Sequence, residues 1–91
     1  MQSKMAEVQR DLAEKKVEVS TGGGMVKIVA NGVNEIISVH IDDELINMND
    51  REVLEDLITG AINEVHRKVK ELAQEEMTRF TGGIKIPGLF P

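Results

Sequence analysis

The chain has 91 residues, enough for one domain spanning 1–91, and 41% of them are hydrophobic but only 2% aromatic, so its core is built from Val, Ile, Leu and Met. It has no cysteine, which excludes a disulfide scaffold and a thiolate metal site and fits a reducing cytosol; it has no apolar run of about 18 residues for a membrane span, nor the pattern of a secretory signal at its N-terminus. Its net charge of −5 argues against a nucleic-acid partner, but the acid is concentrated: Asp42 to Asp56 holds seven acids against Arg51, whereas residues 1–16 carry +1 and residues 65–85 carry +2.

In chain order, residues 1–16 read as a helix, because Met1, Met5, Val8 and Leu12 recur at spacings of four, three and four. The stripe begins at residue 1 with no capping residue before it, so this helix reads as cut rather than begun. A sheet is expected over 17–41. Alternating valines make a short first strand, and Val26, Ile28 and Ala30 share one face of a second. Asn31-Gly32 is a two-residue hairpin signal, since both central positions of a type I′ turn need φ > 0. The returning strand then places Val33, Ile37, Val39 and Ile41 on the face of Val26 and Ile28, with Glu35 near the turn.

Residues 42–49 are an acidic connection, and Asn49 with Glu52 resembles a capping box. A long helix is expected over 50–80, with Leu54, Ile58, Ala61, Val65, Val69 and Leu72 as its apolar stripe and Gly60 inside it. Gly82-Gly83 stops it, and residues 81–91 form an apolar, Pro-broken tail. A helix of about 31 residues is ~46 Å long, against ~30 Å for a compact globule of this size. The stripe therefore calls for a second chain, most simply in a twofold dimer with Leu54, Ile58, Ala61 and Val65 at the interface.

Gly22-Gly23-Gly24 poses the sharpest chemical question. A phosphate-binding glycine loop leads into a helix N-terminus, whereas Gly24 leads into the strand "MVKIVA", and the Lys-Ser/Thr of a P-loop is absent. A glycine-rich hairpin link is the reading that context supports. Asp42, Asp43 and Glu44 lack the spaced ligands of a calcium loop, and His40 and His66 have no His, Cys or carboxylate at metal-ligand spacing beyond chance. The residues point to a dimeric α+β domain with no metal, no cofactor and no catalytic site.

The order of motifs carries further. "QSKMAEVQRDLAEKKVEVSTGGGMVKIVANG", "VHID", "REVLEDLITGAINEVHRKVKELAQEEM" and "TGGIKIPGLF" together resemble the YbaB/EbfC family of bacterial nucleoid-associated proteins over essentially the whole chain. The resemblance implies an α+β fold with an N-terminal helix, a three-stranded antiparallel meander and a long C-terminal helix, assembled as a tweezer-like homodimer. It also implies binding of double-stranded DNA, a cytoplasmic and nucleoid location, and a role in nucleoid organisation or gene regulation. Genes of the family often neighbour those of recombination and polymerase-loading proteins, so a protein–protein adaptor for that machinery is the alternative. Many members carry further helical turns before "Q-x-K-M", which puts a DNA grip by the tip of the first helix in question.

The expected DNA contacts are basic. Asn63, Arg67, Lys70 and Gln74 fall together on the helical wheel opposite the apolar stripe, and Lys70 has no acid three or four residues away. Arg67 and Lys70 are expected to meet phosphates, with Lys68, Arg10, Lys4 and Lys15 as further candidates. A solvated helix face is the bland reading of the same charges.

Overall fold

The structure is a computed structural model that describes residues 2–80, with the side chains of residues 2, 3 and 80 excepted. The Gly82-Gly83 stop and the apolar tail lie outside the described residues. The elements are α1 (Gln2–Glu14), β1 (Lys16–Thr21), β2 (Val26–Asn31), β3 (Ile36–Ile41), α2 (Asp43–Asn47) and α3 (Arg51–Phe80). The strands form an antiparallel sheet in the order β1-β2-β3. This is the meander between two helices that the motif order implied.

The three glycines make the β1–β2 hairpin. Gly22, Gly23 and Gly24 all have positive φ (63°, 67° and 95°), a backbone region that L side chains enter at a cost. The turn closes through Gly24 N–H to Thr21 O and Met25 N–H to Gly22 O. Gly22 has a second reason to be glycine, since a Cβ there would lie 2.7 Å from Leu57 Cδ1. The hairpin is pinned to α3 by Thr21 Oγ1, which donates to Leu57 O at 2.8 Å.

Asn31-Gly32 does not form a type I′ turn. Gly32 is outside the left-handed region, and the left-handed residue is Asn34, at φ 67°. The loop is longer than two residues and is organised by the Asn31 side chain. Its Oδ1 accepts from the Val33 and Glu35 amides, and its Nδ2 donates to Glu35 Oε1 at 2.7 Å. Gly32 serves the first helix instead. Its N–H donates to Leu12 O at 2.8 Å and Lys15 O at 3.1 Å, and a Cβ would lie 2.5 Å from Leu12 O. The end of α1 thus rests directly on backbone.

A register irregularity at Val29/Ala30 alters the third strand's faces: Ser38 opposes Val29 and Ile36 opposes Ala30, leaving Ile37 between them as the extra residue. Val39 and Ile41 do share the face of Ile28 and Val26, as the alternation implies, but at the bulge Ile36 rather than Ile37 opposes a core residue.

Two helix starts also differ from the sequence reading. The acidic connection contains α2, capped by Asp42, whose carboxylate accepts from Glu44 N–H at 3.1 Å, and α2 delivers Leu45 into the core. The cap of α3 is Asp50, which accepts from Val53 N–H at 3.2 Å, while Asn49 (φ 54°) lies outside the helix.

The core lies between α3 and the first two strands: Val19, Val26, Ile28 and Ala30 from the sheet, Ala61, Val65 and Val69 from the helix, and Leu45. The helix covers β1 and β2 and stops there. Along one cross-strand row, Val19 is 3% exposed, Ile28 2% and Val39 52%. Beyond the sheet, the last third of α3 runs beside α1 as a two-helix arm in which Leu12 is buried. The molecule measures 52 × 23 × 16 Å, well longer than a compact globule of its size.

Candidate nucleic-acid interface

Among the described residues no group of three or more His, Cys, Asp or Glu could hold a metal ion, and no helix is long and apolar enough to cross a membrane. The surface features that remain are charge and uncovered apolar area.

The charged residues of α3 fall on different sides of the helix. Asn63, Arg67 and Lys70 are exposed on the side away from the sheet, with Gln74 half-buried beside them. Arg67 sits between two carboxylates of its own helix, pairing with Glu64 at 2.5 Å and Glu71 at 2.8 Å. The Arg67 hydrogen bond holds the Glu64 carboxyl below its ordinary value, and the Glu64 bond raises the Arg67 guanidinium. These are exposed pairs in which the acids outnumber the base, so a phosphate approaching Arg67 has to displace or share it. Lys70, by contrast, is exposed and enters no ion pair among the described residues.

Lys68 lies on the flank of α3 that faces the outer edge of β1. It is half-buried and its Nζ donates to Glu18 O at 3.4 Å, above a groove lined by Ser20, Thr21, Gly60 and Glu64. Its position is set by the sheet edge, apart from Lys70.

On α1, Lys4 and Arg10 are exposed. Lys15, just past the helix, reaches across to α3 and pairs with Glu76. Arg79 pairs with the same carboxylate at 2.8 Å. Glu76 is only 4% exposed, and the bond from Lys15, assisted by Arg79, lowers its carboxyl below the ordinary value although burial opposes this. The six candidate bases therefore do not form one patch. The structure brings Lys15 together with Glu76 and Arg79, sets Lys68 over the β1 edge and leaves Lys70 and Arg10 outward. Residues 76 and 79 were absent from the sequence candidates, although a signal existed. Glu76 is four residues after Leu72 and seven after Val69, a charge on the apolar stripe.

The residues expected between two chains pack, wholly or in part, against this chain's own sheet. Ala61 and Val65 are fully buried within this one chain, against its own sheet, and so offer no surface to a partner; Leu54 and Ile58 are half-buried against the same core. The stripe of α3 is largely covered by β1 and β2. Among the described residues the uncovered large apolar side chains lie elsewhere: Met5 on α1, Ile36, Ile37 and Val39 on β3, Ile46 on α2, Met48 just after it, and Ile62 on α3, each between 42% and 53% exposed. The alternation of β3 implies a covered face shared with Val26 and Ile28, but Ile37 and Val39 remain about half exposed because α3 packs over β1 and β2.

Comparison with known proteins agrees with this architecture. Residues 1–84 match the sequence profile of the YbaB/EbfC DNA-binding family. The chain is 47% identical over 89 residues to the nucleoid-associated protein DP1429 of Desulfotalea psychrophila, covering 98% of this chain and 84% of that one. It is 48% identical over 89 residues to a nucleoid-associated protein of Syntrophobacter fumaroxidans, covering 98% and 81%. In fold it is similar to the crystal structure of the uncharacterized protein HP0035 from Helicobacter pylori, with a TM-score of 0.78, 22% identity, and coverage of 88% of this chain and 84% of that one. With a profile match over nearly its whole length and relatives near half identity, the chain belongs to the YbaB/EbfC DNA-binding family of nucleoid-associated proteins.

Proposed function

We propose that the chain works as a homodimer that binds double-stranded DNA in the nucleoid, organising the chromosome or regulating genes without a catalytic step of its own. The family match over residues 1–84 carries this reading. The supporting local feature is the outward side of α3, where Lys70 is exposed and outside any ion pair among the described residues. A second copy of this chain is the occupant proposed for the apolar surface of β3. The side chains of Ile36, Ile37 and Val39 are about half exposed, Ile46 and Met48 follow directly in sequence, and covering each contributes on the order of 1 kcal/mol. An uncovered apolar edge strand is otherwise an aggregation hazard.

A DNA titration at two salt concentrations tests the DNA reading. Contact with phosphate releases counterions, so affinity falls as salt rises. Changing Arg67 and Lys70 together to Glu should weaken binding at least about tenfold, flatten the salt dependence and leave the dimer intact, with Lys68→Glu doing less. A double variant that titrates like the wild type would show that this side of α3 is not the binding surface. The adaptor reading draws on one observation, the net −6 between Asp42 and Asp56, which lies around α2 and the start of α3. Wild-type protein whose DNA binding ignores salt would favour it.

A further inference from the structure

The two-helix arm contains one side chain that packing does not require. Glu76 lies on the stripe that runs Val65, Val69, Leu72 along α3, and its side chain is 5% exposed at the seam with α1. A carboxylate placed there is costly unless it is paired, and an apolar residue at such a seam is often as stable or more so. Glu76 is paired twice. Lys15 and Arg79 both donate to its Oε1, and their side chains remain 40% and 67% exposed. The negative charge is inside and the two positive charges are at the surface. Arg79 and Glu76 share a groove there with Lys4, Glu7, Val8 and Asp11.

We propose that Glu76 governs how much positive charge this arm delivers to the DNA backbone, by holding Lys15 and Arg79 back from phosphate. The inference rests on the DNA-binding reading. The three groups together carry +1, and a phosphate that draws either cation away must leave a buried carboxylate with one partner fewer. Glu76 is thus a positioning residue, acting on DNA through Lys15 and Arg79. The exposed cage around Arg67 differs, because Glu64 and Glu71 are in reach of water and can be left without that cost.

The test is a double-mutant cycle read by salt dependence, on the full chain with a short duplex of random sequence. Glu76→Gln keeps the shape of the side chain and raises the charge of the trio by one. One further phosphate contact steepens the slope of log K against log salt by about 0.9, so the variant's advantage over wild type should be about 3.5-fold larger at about 50 mM salt than at about 200 mM. In a Lys15→Gln/Arg79→Gln background the same change should have no effect. Circular dichroism establishes that each protein is folded. If the Gln variant is not, Glu76→Met, which fills the seam with an unbranched chain, takes its place in the cycle. A folded variant with the wild-type slope would overturn the inference, as would a gain that persists without Lys15 and Arg79. Wild-type protein with no salt-dependent binding would instead overturn the DNA reading, and this inference with it.

Discussion

Replacing Gly32 by Ala tests the joint between α1 and the sheet. The added methyl carbon would lie 2.5 Å from Leu12 O and 3.0 Å from both Leu12 Cα and Cβ, where atoms do not normally approach. Two of those atoms are backbone, so a side-chain rotation cannot relieve the clash, and α1 must shift. Overpacking of this kind costs about 1–3 kcal/mol. The shift also weakens the Gly32 N–H bonds to Leu12 O and Lys15 O, at about 1 kcal/mol. The stiffer unfolded chain returns about 0.4–1 kcal/mol. The net loss is about 1–3.5 kcal/mol, which for a domain of this size lowers the melting temperature by roughly 5–25 °C. Thermal melts at one protein concentration read this directly, and hydrogen exchange should show the loss of protection first in the amides of α1. The comparison with Gly32→Asn separates two explanations of the glycine. In a left-handed turn Asn is tolerated better than Ala; at a close approach the larger Asn is at least as damaging. An Asn variant milder than the Ala variant, or an Ala variant within about 0.5 kcal/mol of wild type, would refute the close-approach account.

Val65→Asp and Val39→Asp should separate folding from association. Val65 is fully buried within the chain, so a charge there should cost more than about 3 kcal/mol and abolish the melting transition, whereas Val39→Asp should keep the fold and halve the mass seen by light scattering; a folded Val65→Asp monomer would reverse these roles. Acid stability should depend on Glu76. Its folded carboxyl lies below the ordinary value of 4.5, so its stabilisation is present above that value and is lost as pH falls through the lower, folded one. Melting temperatures from about pH 7 to about pH 3 should fall less steeply for Glu76→Gln than for wild type, and parallel curves would show that the pair does not contribute.

Much of this fold was legible because its signals are local. Three glycines followed by β-branched alternation specify a hairpin whatever lies around them, and the stripe of α3 marks a helix long before its partner is known. The features that escaped depend on distant parts of the chain. Gly32 is a glycine because of Leu12, some 20 residues earlier. Lys15 meets Glu76 across 61 residues. The helix α2 has five residues, too few for a period to register. The bulge beside Val29 exchanges Ile36 for Ile37 opposite the core without changing the composition of β3. The candidate bases were legible as residue types but not as a site: Glu64 and Glu71 lie at helical spacing from Arg67, whereas the carboxylate that holds Lys15 is recognised only once the two helices are placed.

A three-stranded sheet has two free margins, and here they have opposite characters. Along β1 the outward carbonyl of Glu18 is already taken by Lys68, with the Glu64 carboxylate nearby and charged residues at Lys16 and Glu18. Along β3 the margin is apolar, with Ile36, Ile37 and Val39 uncovered. A subunit adhesive on both margins would add copies without limit and grow into a fibre. One adhesive on a single margin has a valence of one, so the pairing through β3 proposed above would consume it and growth would stop at two. In that proposed dimer the lysine over β1 would act as a terminator of assembly, and a chain lacking it would be expected to lengthen rather than to fall apart.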